Sequence, residues 1–165
     1  MKVGLGLDAH RFAPDRPLLL GGVRIRERDG LAGHSDADVL AHAVMDAMLG
    51  ASGREDIGYY FPDTDPVWQG ADSMELLKVV AGLVAEDGRQ VVNVDAVVVC
   101  EEPRIAPHRT AIRRNMSRAL GLREECVSVR GTTTEGMGFT GRGEGIAAQA
   151  VVLLEKRRDP GDHPA

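Results

Sequence analysis

Hydrophobic and polar positions alternate along residues 2–12. Val3, Leu5, Leu7 and Ala9 fall on one face, and Gly4, Gly6, Asp8, His10 and Phe12 on the other, which is the period of a strand. Leu18-Leu19-Leu20 before Gly21-Gly22 and Val23-Arg24-Ile25 after it predict a small hairpin over 17–25. The period then changes. Leu40, Ala43, Val44, Ala47 and Met48 recur at helical spacing, Ser35 and Asp38 form a capping-box-like start, and Gly50 marks the end. Residues 53–71 carry Gly, Pro and Asp at short intervals and read as a loop. A second helix is expected from Asp72 to Asp87, with Asp72 and Glu75 at its start. A valine-rich strand follows at 90–100, then a helix opened by Pro107 and closed by Gly121, and strands near 126–131 and 145–155. The order strand, helix, helix, strand, helix, strand, strand predicts a two-layer sandwich of a mixed sheet with helices on one face. The other face needs a cover, and identical subunits would supply one.

Composition narrows the classes. The 165 residues suit a single domain over 1–156, with a charged, proline-bearing tail at 157–165 expected to be flexible. Aromatic residues make up only 4%, so the core must be aliphatic. A net charge of −5 disfavours a nucleic-acid partner. Cys100 and Cys126 border apolar residues and read as buried thiols. With no run of about 18 apolar residues and no secretory signal pattern, a cytoplasmic protein without a membrane partner is expected.

Candidate chemistry begins at Asp8 and His10, which share one face of the first strand about 7 Å apart at their Cα atoms. Alone, the pair equally suits a solvated strand end. In the first helix, Asp38, His42 and Asp46 are spaced i, i+4, i+8 on one side. A helical histidine there is often a core residue bonded to an acid. Taken together, Asp8, His10 and His42 form a three-ligand set with one open position, the pattern of a catalytic zinc site, with Asp38 orienting an imidazole from behind. The segment Gly131–Gly145 combines three consecutive threonines with a glycine-rich turn. Glu135 within it could hold a hard ion such as Mg²⁺ beside phosphate oxygens, although the same composition suits a plain β-turn. The acids of 56–65 could accept from sugar or polyol hydroxyls, or simply solvate a surface.

These stretches are Gly6-Leu7-Asp8-Ala9-His10-Arg11-Phe12, Gly33 to Asp38 with His42 and Asp46 to Gly50, Asp56-Ile57-Gly58 with Phe61 to Pro66, and Thr132 to Glu135 with Gly138 to Gly145. Together they resemble the 2-C-methyl-D-erythritol 2,4-cyclodiphosphate synthase family of the non-mevalonate isoprenoid pathway. The resemblance implies an α+β, ferredoxin-like fold assembled as a homotrimer with active sites at subunit interfaces. It implies a lyase that closes 4-diphosphocytidyl-2-C-methyl-D-erythritol 2-phosphate into a cyclic diphosphate and releases CMP. Asp8, His10 and His42 would hold zinc, and Glu135 the second metal, Mg²⁺ or Mn²⁺. His34 and Ser35 would contact phosphate, while Asp56, Ile57, Gly58, Phe61 and Asp63 would meet the polyol. Thr132 and Thr133 would position the diphosphate, with Thr133 and His34 counted among the catalytic residues. Cys100, Arg104, Ile105, Ala106 and Gly131 would surround the cytosine. Phe139 and Arg142 would line a central cavity able to hold an isoprenoid diphosphate. Two positions depart from the family pattern: Gly136 stands where many relatives carry a basic residue, and Arg104 where some carry Lys. The competing readings are a zinc phosphodiesterase with linear products and a non-enzymatic metal- or isoprenoid-binding trimer.

Overall fold

The computed structural model describes residues 1–157; the expected flexible tail lies, from residue 158 on, outside the described residues. Strand β1 (Lys2–Ala13) leads through the short β2 (Leu18–Leu20), β3 (Val23–Arg26) and β4 (Gly30–Leu31) into helix α1 (Val39–Ser52). One-turn α2 (Ile57–Tyr60) and a 3-10 turn at Pro66–Trp68 break up the expected loop before α3 (Ser73–Glu86). Then come β5 (Arg89–Val99), α4 (Arg109–Leu120), β6 (Val127–Thr132), one-turn α5 (Gly138–Gly141) and β7 (Gly145–Lys156). The hairpin over 17–25 appears as the β2–β3 pair.

The main sheet has the order β4-β1-β7-β5-β6. β7 runs antiparallel to both β1 and β5, while β5 and β6 are parallel. The mixed α+β sheet is therefore as expected, but the ferredoxin-like arrangement is not. That arrangement follows the chain order βαββαβ, whereas the major elements here run β1, α1, α3, β5, α4, β6, β7. The reason is local. Helix α4 separates β5 from β6 and returns the chain in the same direction, and only the last connection reverses it.

The core lies between the sheet and α1, α3 and α4. Val94, Ala96 and Val98 of β5 and Ala148, Ala150, Val152 and Leu154 of β7 face Leu40, Val44, Leu77, Val80, Ile112 and Met116. Helix α1 is apolar nearly all round, as a central core helix must be, with 11 of its 14 residues buried. Its boundaries differ from the expected ones. Asp38 is the N-cap, accepting from Ala41 N, and Gly53 in the left-handed region ends the helix. Ser35 instead accepts from Ala37 N at 3.1 Å within the preceding turn. Helix α4 starts at Arg109 because Pro107 lies in a turn closed by His108 N donating to Ile105 O.

The two faces of β1 are used unequally. Gly4 and Gly6 lie under α1: a Cβ on Gly4 would sit 1.9 Å from Ala47 O, and one on Gly6 2.0 Å from Ala43 O. Helix and strand backbones touch there, and no side chain larger than hydrogen fits. On the opposite face Val3, Leu5 and Leu7 are 67%, 61% and 67% exposed, with Val151 of neighbouring β7 also exposed. Among the described residues no helix is long and apolar enough to cross a membrane.

Candidate functional site

Close contact between α1 and β1 sets the register of the site. Gly4 meets Ala47 and Ala51, Gly6 meets Ala43 and Ala47, and one strand repeat further on Asp8 meets His42. Two residues of strand advance about 6.6 Å and four residues of helix about 6 Å, so the even positions of β1 track α1 turn by turn. Asp8 and His10 thereby arrive beside His42. Asp8 Oδ2 lies 2.8 Å from His10 Nε2 and 2.9 Å from His42 Nδ1, and the two nitrogens are 3.1 Å apart.

The outer nitrogens show what this triangle can hold. The Ser73 hydroxyl donates to Asp36 Oδ1, so its oxygen accepts from His42 Nε2–H at 3.0 Å. Ser35 Oγ lies 3.1 Å from the same nitrogen. This fixes His42 with its Nδ1 lone pair turned inward. His10 likewise turns its Nε2 toward Asp8. Two imidazole lone pairs and a carboxylate oxygen then converge with no donor of their own, which calls for a cation. Tetrahedral zinc with bonds of about 2.0–2.1 Å needs ligand atoms about 3.3 Å apart. The triangle meets that with a small expansion, so the donor set fits the metal.

Without a metal, a proton takes part of that role. Burial pushes the Asp8 carboxyl up, but hydrogen bonds and charge from His10 and His42 outweigh it and hold it well below the usual carboxylate range. Burial would lower His10, yet the Asp8 carboxylate and the Ala32 backbone raise it above its ordinary value. Asp38 does not orient an imidazole. Fully buried, it accepts from Gly22 N at 2.7 Å and Ala41 N at 3.1 Å, tying the hairpin to the helix start, and burial raises its pKa. Asp36 and Ser73 do what was expected of Asp38. They are separated from each other by 37 residues, which no local spacing could have linked. Asp46 accepts from Ile57 N at 2.9 Å and anchors α2.

A cavity of about 420 Å³ opens over the triad. His34, Ser35, Ile57, Gly58, Phe61 and Asp63 line it as expected, and so do Met45, Trp68 and Leu76, which carry no motif. Asp56 does not line it; its carboxylate caps α2 by accepting from Tyr59 N at 3.1 Å. His34 Nε2–H donates to Asp65 O at 3.0 Å. The Arg16 guanidinium, also without a motif, bonds the Gly33 and Ser35 carbonyls and holds this wall.

A second cavity of about 400 Å³ gathers Cys100, Arg104, Ile105, Ala106, Gly131, Thr132 and Thr133, together with Glu101, Pro103, Arg109 and Arg130. The two cavities share no lining residue. Gly131 is required here, since a Cβ would stand 2.7 Å from Ile105 Cγ1. Cys100 is buried as expected, its thiol pushed up to about 11 by burial, while Cys126 is only half-buried. Glu135 lines neither cavity and is exposed on the turn after β6. A lone exposed carboxylate beside threonine hydroxyls suits a hard ion that takes its remaining ligands from phosphate and water. Phe139 is 42% exposed, and Arg142, paired with Glu144 at 2.6 Å, borders a separate groove with Phe12 and Arg26.

Comparison with known proteins bears on this arrangement. The YgbB family matches residues 1–155. A 2-C-methyl-D-erythritol 2,4-cyclodiphosphate synthase of Rubrobacter xylanophilus is 62% identical over 158 residues, covering 94% of this chain and 95% of that protein. The bifunctional IspDF of Campylobacter jejuni is 45% identical with a TM-score of 0.92, over 96% of this chain but 42% of its own length. The IspF of Plasmodium falciparum in complex with CDP is 32% identical with a TM-score of 0.83, over 95% of this chain and 97% of that one.

Proposed function

The chain belongs to the YgbB family, and from that premise we propose that it is a cyclodiphosphate synthase of non-mevalonate isoprenoid biosynthesis. It converts 4-diphosphocytidyl-2-C-methyl-D-erythritol 2-phosphate to 2-C-methyl-D-erythritol 2,4-cyclodiphosphate and CMP. An oxygen of the 2-phosphate forms a bond to the β-phosphorus, the bridging oxygen leaves with the electron pair on CMP, and no atom is taken from water. The 2-phosphate is already anionic near neutral pH, so no protein base is needed. Zinc at Asp8, His10 and His42, and Mg²⁺ or Mn²⁺ at Glu135, would supply Lewis-acid polarisation and charge neutralisation when bound.

The chain's own residues hold the flexible substrate in a closing conformation, where effective molarity contributes up to about 7–11 kcal/mol in ideal cases. His34 and Ser35 meet the phosphate, and Ile57, Gly58, Phe61 and Asp63 hold the polyol. Thr132 and Thr133 position the diphosphate. Cys100, Arg104, Ile105, Ala106 and Gly131 form the nucleotide cavity, a role supported by the CDP complex of the Plasmodium relative. Three copies assemble through the exposed Val3, Leu5 and Leu7 face, and a neighbouring copy completes each active site. Phe139 and Arg142 would then face the centre of the trimer and an isoprenoid diphosphate there.

The observation that carries this reading is the Asp8–His10–His42 triangle in the wall of a substrate-sized cavity. Phosphorus NMR of the substrate with enzyme, zinc and Mg²⁺ should show the cyclic diphosphate and CMP, and His42→Ala should lose zinc and nearly all CMP release. Linear hydrolysis products would mean a phosphodiesterase, and zinc binding without turnover a binding module.

A further inference from the structure

We propose that Glu101 is a positioning residue that fixes the turn carrying Glu135; the inference rests on the reading of Glu135 as the second-metal ligand. Glu101 lies two residues past the end of β5, and the Thr133–Gly136 turn follows β6, its parallel neighbour, with Val99 opposite Thr132. Across this gap Glu101 Oε1 accepts from Thr134 N at 3.1 Å and from Gly136 N at 3.2 Å. These are the two amides that flank Glu135. Glu135 itself has φ 53° and Gly136 φ 78°. The left-handed region is disfavoured for a residue with a Cβ, so Glu135 keeps this conformation only while its surroundings impose it.

The rest of the turn is held from the other side. Thr134 Oγ1 donates to Met137 O at 2.6 Å and lies 3.0 Å from Oγ1 of buried Thr140. That contact secures Thr134 but leaves the Gly136 amide free. The Met137 N–H donates to Thr134 O at 3.0 Å and closes the turn, while the Glu101 carboxylate holds both amides next to Glu135, so it helps set the direction in which the Glu135 side chain leaves the turn. It also occupies the concave side of the two amides, which are therefore spoken for before any diphosphate arrives. Glu101 lines the nucleotide cavity as well, so the same side chain ties that cavity to the metal turn.

The test compares Glu101→Ala with Glu101→Gln in the full-length, zinc-loaded protein, because the Gln amide oxygen accepts the same two N–H groups. Free Mn²⁺ is followed by electron paramagnetic resonance with CDP present, and amide exchange at Thr134 and Gly136 by NMR. Glu101→Ala should weaken Mn²⁺ binding about tenfold or more and speed exchange at both amides with zinc content unchanged. Glu101→Gln should keep wild-type behaviour in both. If the alanine variant fails to fold, Glu101→Asp, one methylene short of the turn, should show the same two losses. Unchanged Mn²⁺ affinity and exchange in the alanine variant, or a glutamine variant as impaired as alanine, overturns the proposal. Glu135→Gln is the control. If it leaves Mn²⁺ binding intact, the reading of Glu135 fails, while exchange at Thr134 and Gly136 still decides whether Glu101 holds the turn.

Discussion

At the scale of single residues, the metal triangle is a contest between a proton and a cation. His10 has a raised pKa in the metal-free fold, so its protonated form contributes stability that is fully present below the unfolded value of about 6.5 and is lost as pH rises through the folded pKa. Asp8, with a depressed pKa, contributes throughout this range and loses its share only in strong acid. Zinc requires His10 deprotonated, so its binding strengthens over the same interval. Melting temperature measured from about pH 6 to 8.5 should therefore fall with pH in the zinc-free protein and rise in the zinc-loaded one. Parallel slopes would remove His10 from the ligand set. Asp8, His10 and His42 were legible in the sequence because each stands at a fixed spacing on a regular element. Ser73 and Asp36 were not, because their link to His42 runs between elements through two hydroxyl and carboxylate contacts.

At the scale of elements, the β1–α1 contact places the chemistry. Gly4 and Gly6 read in the sequence only as the small residues of an alternating strand, although they fix how close α1 lies. Gly6→Ala would drive a methyl into the Ala43 carbonyl and force α1 away from β1. It should destabilise the fold by about 3 kcal/mol or more and lower zinc affinity by displacing His42. Denaturant unfolding and zinc titration measure both, and an alanine variant with wild-type values would show that the contact does not set the site. Helix starts were legible where an Asp caps its own helix, as Asp72 does for α3. The start of α1 was misplaced because Ser35, a good cap by type, is committed to the Ala37 turn and to His42.

At the scale of the whole molecule, an apolar face and two unshared cavities point the same way. Val3, Leu5, Leu7 and Val151 form an exposed stripe on a sheet whose other face is the core. Burying Leu5 and Leu7 is worth roughly 1.5–3 kcal/mol each. A Leu5→Glu, Leu7→Glu variant should sediment as a monomer, retain zinc because one chain supplies the triad, and lose turnover because the site stays incomplete. A trimeric variant would place the interface elsewhere, and a fully active monomer would show that each chain carries a whole site.

The sequence by itself determined the helices and strands, the mixed two-layer class and the candidate metal triad of Asp8, His10 and His42, because period, caps and spacing are local properties of the chain. It also carried the family, through motifs spread from Gly6 to Gly145. The tertiary structure decided the strand order, the Asp36–Ser73–His42 linkage, the release of Asp38 and Asp56 to capping, and the hold of Glu101 on the Glu135 turn. Each of these depends on which elements pack together across tens of residues. That packing is fixed by glycine contacts and buried hydrogen bonds, which leave no periodic trace along the chain.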